Sequence, residues 1–136
     1  MNPKLKISIK ILMAIILMSI ALWFLFFKWH IVLYPLDPGY GPKICYSPNK
    51  EFFIKRYQTI FQSLDDPLYA EGVAILYNKS GKKLYKETAY LSRMFGPYWI
   101  SHGNRFGVFY EGAGKEFGTE LPSSPGEHPD RDRGCF

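Results

Sequence analysis

The chain has 136 residues, 47% of them hydrophobic, and a formal net charge of +5. That length has room for one modest domain. The basic excess does not point to nucleic acid, because it is concentrated outside the expected domain. Lys4, Lys6 and Lys10 precede a long apolar run, whereas residues 45–136 carry 12 Lys and Arg against 11 Asp and Glu. A nucleic-acid binder concentrates basic charge on its folded surface.

Residues 1–10 form a basic N-terminus. Residues 11–27 contain no charge and a single polar side chain, Ser19. As a helix they span about 26 Å, slightly short of a hydrocarbon core of about 30 Å. Ile7 and Ile9 extend the run on one side. Trp29, Ile31, Val32, Leu33 and Tyr34 extend it on the other, so residues 11–33 are assigned to a transmembrane anchor and its interface. Trp23, Trp29 and Tyr34 suit an interfacial aromatic belt, and the preceding lysines predict a cytoplasmic N-terminus. This is a single-pass signal-anchor in a membrane. A cleaved signal peptide is the competing reading, with Ser19-Ile20-Ala21 as a small-x-small site. Cleavage there would leave the apolar stretch from Leu22 as the mature start, which disfavours it.

Residues 34–44 hold Pro35, Pro38, Pro42, Gly39 and Gly41, which exclude a helix or a central strand. They read as a short, partly stiff linker holding the domain near the bilayer. Residues 45–136 then form the β-rich domain. Its two cysteines, Cys45 and Cys135, both fall on the expected external side, where disulfides persist. A disulfide between them is expected; two free thiols are the alternative. Their spacing lacks zinc-site character.

Within the domain, Ser47-Pro48-Asn49-Lys50 reads as a turn. Residues 51–60 read as a strand rich in aromatic and β-branched side chains. Asp65-Asp66-Pro67 punctuates the chain. Residues 72–77 form a nearly continuous apolar strand, which suggests a central position. Asn78-Lys79-Ser80-Gly81 is the strongest hairpin turn, and residues 82–90 return as a half-exposed strand nearer an edge. Leu91 to Phe95 has room for one helical turn. Residues 98–101 and 105–111 form a further strand pair across His102-Gly103-Asn104. From Gly112 the chain is rich in Gly, Pro, Ser and charge. The expected architecture is mainly β: a transmembrane helix, then a small antiparallel meander of about five strands closed by a disulfide. The tail from Glu116 has few large apolar residues, namely Phe117, Leu121 and Phe136. It is expected to depend on the Cys45–Cys135 bridge to stay docked, covering a sheet edge.

No catalytic constellation emerges. His30 falls at the membrane surface, His102 in a turn and His128 in the tail, and a histidine in a turn is ordinarily structural or solvent-exposed. Glu127-His128-Pro129-Asp130-Arg131-Asp132 gathers carboxylates and an imidazole, but Arg131 and Arg133 neutralise them from within, so no metal site is assigned. Ser123-Ser124-Pro125-Gly126 lacks the strand–elbow–helix context of a nucleophile. Gly112-Ala113-Gly114-Lys115 lacks the full phosphate-loop pattern. Neither catalytic, cofactor-binding nor metal residues are therefore assigned, and no cofactor is expected. The 24 aromatic residues admit a second use in stacking on glycan chains, although most suit a sheet core.

Three strings carry a resemblance. They are residues 45–57 (Cys-Tyr-Ser-Pro-Asn-Lys-Glu-Phe-Phe-Ile-Lys-Arg-Tyr), Met94-Phe95-Gly96-Pro97-Tyr98-Trp99, and Leu121-Pro122-Ser123-Ser124-Pro125-Gly126. With these the chain resembles a family of small enterobacterial membrane-anchored proteins with a short periplasmic domain ending in a Gly-Cys-aromatic tail. The resemblance covers nearly the whole chain from Cys45 and implies a bacterial inner membrane and a periplasmic domain. It brings no catalytic residues. The functional expectation is a non-enzymatic periplasmic binding module with a protein partner. One concrete version is an immunity protein that blocks a toxin delivered into the envelope. A structural or regulatory envelope subunit and a glycan-binding module are the alternatives. For the subunit, Ala14, Met18 and Ala21 offer only a weak small-residue stripe for helix pairing.

Overall fold

An uninterrupted apolar run has one low-energy backbone solution in the absence of water, in which every amide bonds within its own segment. The computed structural model follows this: α1 runs over Pro3–Phe27. Within it, Ile7–Phe27 is long and apolar enough to cross a membrane. At its centre Ser19 is satisfied locally, with its Oγ donating to the Ile15 carbonyl at 2.9 Å. The structure describes residues 3–34, 44–64, 71–91, 95–110, 117–127 and 134–135.

The expected class holds: an N-terminal apolar helix is followed by antiparallel β-structure. The meander of about five strands is divided between two sheets and extended by short strands. Among the described residues eight strands form them: β1 (Val32–Tyr34), β2 (Ile44–Tyr46), β3 (Phe52–Gln58), β4 (Glu71–Asn78), β5 (Lys83–Tyr90), β6 (Tyr98–His102), β7 (Arg105–Tyr110) and β8 (Phe117–Glu120). The first sheet has the order β1-β3-β4-β5 with β2 also on β3, and the second has the order β6-β7-β8. The three additional strands, β1, β2 and β8, are three or four residues long, too short to show a period of their own. They exist because a longer strand offers them a ladder.

β1 and β2 lie end to end along one edge of β3. Tyr34 faces Arg56 and Ile44 faces Lys55, consecutive positions on the partner. Residues 35–43 of the expected linker lie outside the described residues, but both of their flanks belong to the sheet. The sheet begins at Val32, and only Lys28–Ile31 separate it from the helix. Val32 and Leu33, expected to extend the membrane interface, pair with Gln58 and Tyr57.

The hairpin at Asn78 forms as its residues dictate. Gly81 adopts φ 82°, and its N–H donates to the Asn78 carbonyl at 2.9 Å, while Lys82 N–H donates to Asn78 Oδ1 at 2.9 Å. β4 is central, and β5 forms the outer edge with Lys83 and Lys86 exposed, a pattern that discourages further pairing.

Alternation along β3 sends Phe52, Ile54, Arg56 and Gln58 to one face, all buried. Ile54 opposes Leu76, and Arg56 opposes Ala74. This face shares one core with Trp99, Val108, Tyr110 and Leu121 of the second sheet and its exit. Burying a guanidinium there requires hydrogen bonding, and Arg56 Nη1 donates to the Leu91 carbonyl at 3.0 Å. Cys45 and Cys135 are bonded to each other, with Cys45 fully buried in this core.

The tail is more tightly held than its composition suggests. β8 pairs with β7 from Gly107↔Glu120 to Tyr110↔Phe117, and Leu121 and Pro125 are buried. Beyond them Asn49 forms a latch: its N–H donates to the Pro125 carbonyl at 3.0 Å and its Nδ2 to the Ser124 carbonyl at 2.8 Å. At the far end, Gly134 N–H donates to the Pro97 carbonyl and Trp99 Nε1 to the Gly134 carbonyl, both at 3.0 Å. The expected bridge is thus joined by main-chain contacts that the composition of the tail does not reveal. Main-chain pairing supplies what its few apolar side chains cannot.

Candidate functional site

The outward face of the five-stranded sheet follows from the same alternation. Registers place Leu33, Tyr57 and Val73 in the row nearest the helix, Ile44, Lys55, Ile75 and Lys86 in the middle row, and Tyr46, Phe53 and Tyr77 in the row farthest from it. The far row is an aromatic stack across three strands. Phe53 and Tyr77 lie 5.1 Å apart and 12° from parallel, and Tyr46 and Phe53 lie 5.7 Å apart at 45°. Lys55 Nζ sits 5.8 Å from the Phe53 ring centre and 5.7 Å from that of Tyr77, within cation–π range. Burial, followed by the neighbouring Tyr57, pushes the Tyr77 phenol above its ordinary pKa, so it remains a hydrogen-bond donor through the physiological range.

Phe53 and Tyr77 stack at nearly the strand spacing, so their faces meet each other. The surface left for a partner is formed by ring edges and the Tyr46 and Tyr77 hydroxyls, with Lys55 beside them. Such a surface suits amphipathic contact with another protein. It suits sugar stacking less, because that needs an unoccupied ring face.

The second sheet has an aromatic pair of its own, Tyr98 and Phe109, 4.7 Å apart and 12° from parallel. Beside it a trough of about 360 Å³ runs between Ile100, Arg105, Phe109 and Glu120. Its floor includes Gly107 and Gly118, which contribute no side chains.

The residues considered from sequence end up apart. His102 is exposed at the end of β6, with Gly103-Asn104 turning to β7 as expected. Ser124 Oγ lies 3.1 Å from Ser101 Oγ and accepts from Gly126 N–H, an arrangement that fixes a loop and supplies no base. Residues 112–115 and 128–133 lie outside the described residues. Among the described residues no cluster of three or more metal-ligating side chains occurs. His30 is brought to the first sheet, near Glu71 and Lys86. Burial, and then the Lys86 ammonium, lower its pKa; a hydrogen bond at Lys28 and the Glu71 carboxylate act in the opposite sense.

The aromatic row is not legible in any one segment of the sequence. Tyr46, Phe53 and Tyr77 fall in three separate strands, so only the registers make them neighbours. The available signal was parity: Phe53 and Tyr77 alternate with Phe52 and Leu76, which the core claims. No protein-family model, curated protein or solved structure matches the chain.

Proposed function

We propose that this chain is a non-enzymatic binding module anchored in the bacterial inner membrane. It crosses once, with its N-terminus cytoplasmic and its β-domain in the periplasm, and the aromatic row Tyr46–Phe53–Tyr77 receives a protein partner. In its concrete form it is an immunity protein whose partner is a toxin delivered into the envelope. The orientation is supported by Lys4, Lys6 and Lys10 ahead of the apolar span. The compartment is supported by the Cys45–Cys135 bond, since disulfides persist outside the reducing cytoplasm. The family resemblance points the same way.

The observation that carries the binding reading is the stacked aromatic row with Lys55 on a rigid sheet, at the end of the strands away from the helix. Aromatic anchors held in place lose little entropy on binding, and such residues dominate interface energies. The mutual stacking of Phe53 and Tyr77 favours a protein partner over a glycan.

The test is site-specific photo-crosslinking in intact cells from positions 46 and 77, with Ser123 as the control position. The expected result is a discrete adduct from the aromatic row only. With the adduct partner purified, Phe53→Ala and Tyr77→Ala should each weaken binding by roughly 30-fold, the scale of an interface hot spot. Adducts solely from the control position, or unchanged affinity in both variants, would refute the assignment. A partner that is a toxin neutralised by the chain establishes the immunity form, whereas a resident envelope protein establishes the subunit form.

A further inference from the structure

We propose that the loop after β3 is a second membrane contact, with Phe61 and Leu64 lying in the lipid headgroup layer beside the end of α1. The inference rests on the anchor reading above and specifies how the domain sits: on the bilayer surface, through its own residues.

Exposure is the first observation. Leu64 is 79% exposed and Phe61 55%, alongside Trp29 at 59% and Ile31 at 52%. The remaining large apolar side chains exposed in the β-domain, among the described residues, are Leu84 and Ile100, on other strands. Continuity is the second. Phe61 N–H donates to the Phe26 carbonyl at 3.1 Å, and the Phe61 ring lies 5.0 Å from that of Phe27. The loop therefore extends the apolar surface of the helix itself, and it caps a carbonyl that the helix end would leave unsatisfied.

The third observation is how the loop treats its polar groups. Thr59 N–H donates to Gln62 Oε1 at 3.0 Å, and Gln62 N–H donates to Thr59 Oγ1 at 3.1 Å. Ser63 Oγ donates to the Ile60 carbonyl at 2.7 Å, and the N–H groups of Ser63 and Leu64 donate to the carbonyls of Thr59 and Phe61. Backbone that approaches lipid must be paired internally, and the N–H groups of Thr59, Phe61, Gln62, Ser63 and Leu64 are. Lys28, with its ammonium 5.7 Å from the Trp23 ring, marks the level of the headgroups. Asp65 and Asp66 follow in the sequence, and carboxylates do not enter hydrocarbon. The depth is therefore the headgroup layer, where aromatic side chains settle.

Fluorescence quenching tests the placement. The full chain is reconstituted into phosphatidylcholine–phosphatidylglycerol vesicles whose lipids are brominated either near the headgroup or near the chain end. Trp99, buried in the core, stays as a constant background. In the Trp23→Phe, Trp29→Phe background, Leu64→Trp should be quenched at least twofold more by shallow than by deep bromines. Ile100→Trp in the same background should be unquenched. A chain carrying only Trp29→Phe reports on the helix through Trp23. Quenching of Trp23 without quenching at position 64 would overturn the loop contact and leave the anchor standing. Absence of quenching at both would overturn the anchor as well. Equal quenching at positions 64 and 100, or deeper quenching at 64, would refute a headgroup contact specific to this loop.

Discussion

The two sheets obey the same alternation rule but are completed from opposite ends of the chain. The first is built on β3–β4–β5, with the Asn78 turn between β4 and β5 legible in sequence, and is finished by short strands arriving from the helix side. The second is built on the β6–β7 hairpin and is finished by the tail. In each, a long strand fixes its register from its own pattern, and a short one of weak pattern borrows it. The first sheet thereby leaves an aromatic face outward, while the second keeps a shallow trough. The difference teaches that the outward surface depends on what the completing segment leaves uncovered.

The largest expected effect comes from cutting the bond that ties the two completing segments together. Cys135→Ser should lower stability by up to ~4–5 kcal/mol on the chain-entropy estimate for so long a loop. Cys45→Ser should cost about the same, and the double variant no more than either, since one bond is lost. Because β8, Leu121 and the Asn49 latch hold the tail independently, new protease cleavage in Cys135→Ser should fall after Glu127. Cleavage throughout residues 112–134 would mean that the second sheet depends on the bond after all. Thermal melts and intact mass with and without reductant read both outcomes.

A glycine exchange compares the interiors of the sheets directly. A side chain at Gly72 in β4 would collide with the Tyr57 carbonyl and come within 2.6 Å of Leu91 Cδ1, whereas at Gly118 in β8 it would meet Phe109 Cβ at an ordinary 3.6 Å. Gly72→Ala should therefore cost ~1–3 kcal/mol through overpacking, and Gly118→Ala less than ~1 kcal/mol. Equal losses in thermal melts would show that the first sheet yields more readily than its packing implies.

The smallest effect concerns the join between helix and first sheet. His30 has a lowered pKa when folded. As pH falls below the ordinary imidazole value of about 6.5, the unfolded chain takes up a proton that the folded chain resists, so stability is lost on acidification. Wild type should lose more melting temperature between pH 7.5 and 5 than His30→Gln. The difference should be smaller than the effect of Gly72→Ala, since His30 is only partly buried and solvent screens its charge. Identical pH profiles would show that His30 does not sense the sheet.

The sequence by itself determined the helix, the central strand β4 with its Asn78 turn, the β6–β7 hairpin and the disulfide. Each rests on a local signal: an uncharged apolar run, a turn residue tolerant of positive φ, alternation, or the presence of only two cysteines. Tertiary structure decided the rest. Phe117-Gly118-Thr119-Glu120 is a strand because β7 has a free ladder beside it, and Val32-Leu33-Tyr34 because β3 does. Lys55 and Arg56 are adjacent cations, and the register alone sends Arg56 to the core and Lys55 over the outer rings. The aromatic row likewise depends on three registers at once. Local propensity acts over a few residues, whereas the identity of a neighbour across a sheet is set by where distant strands align.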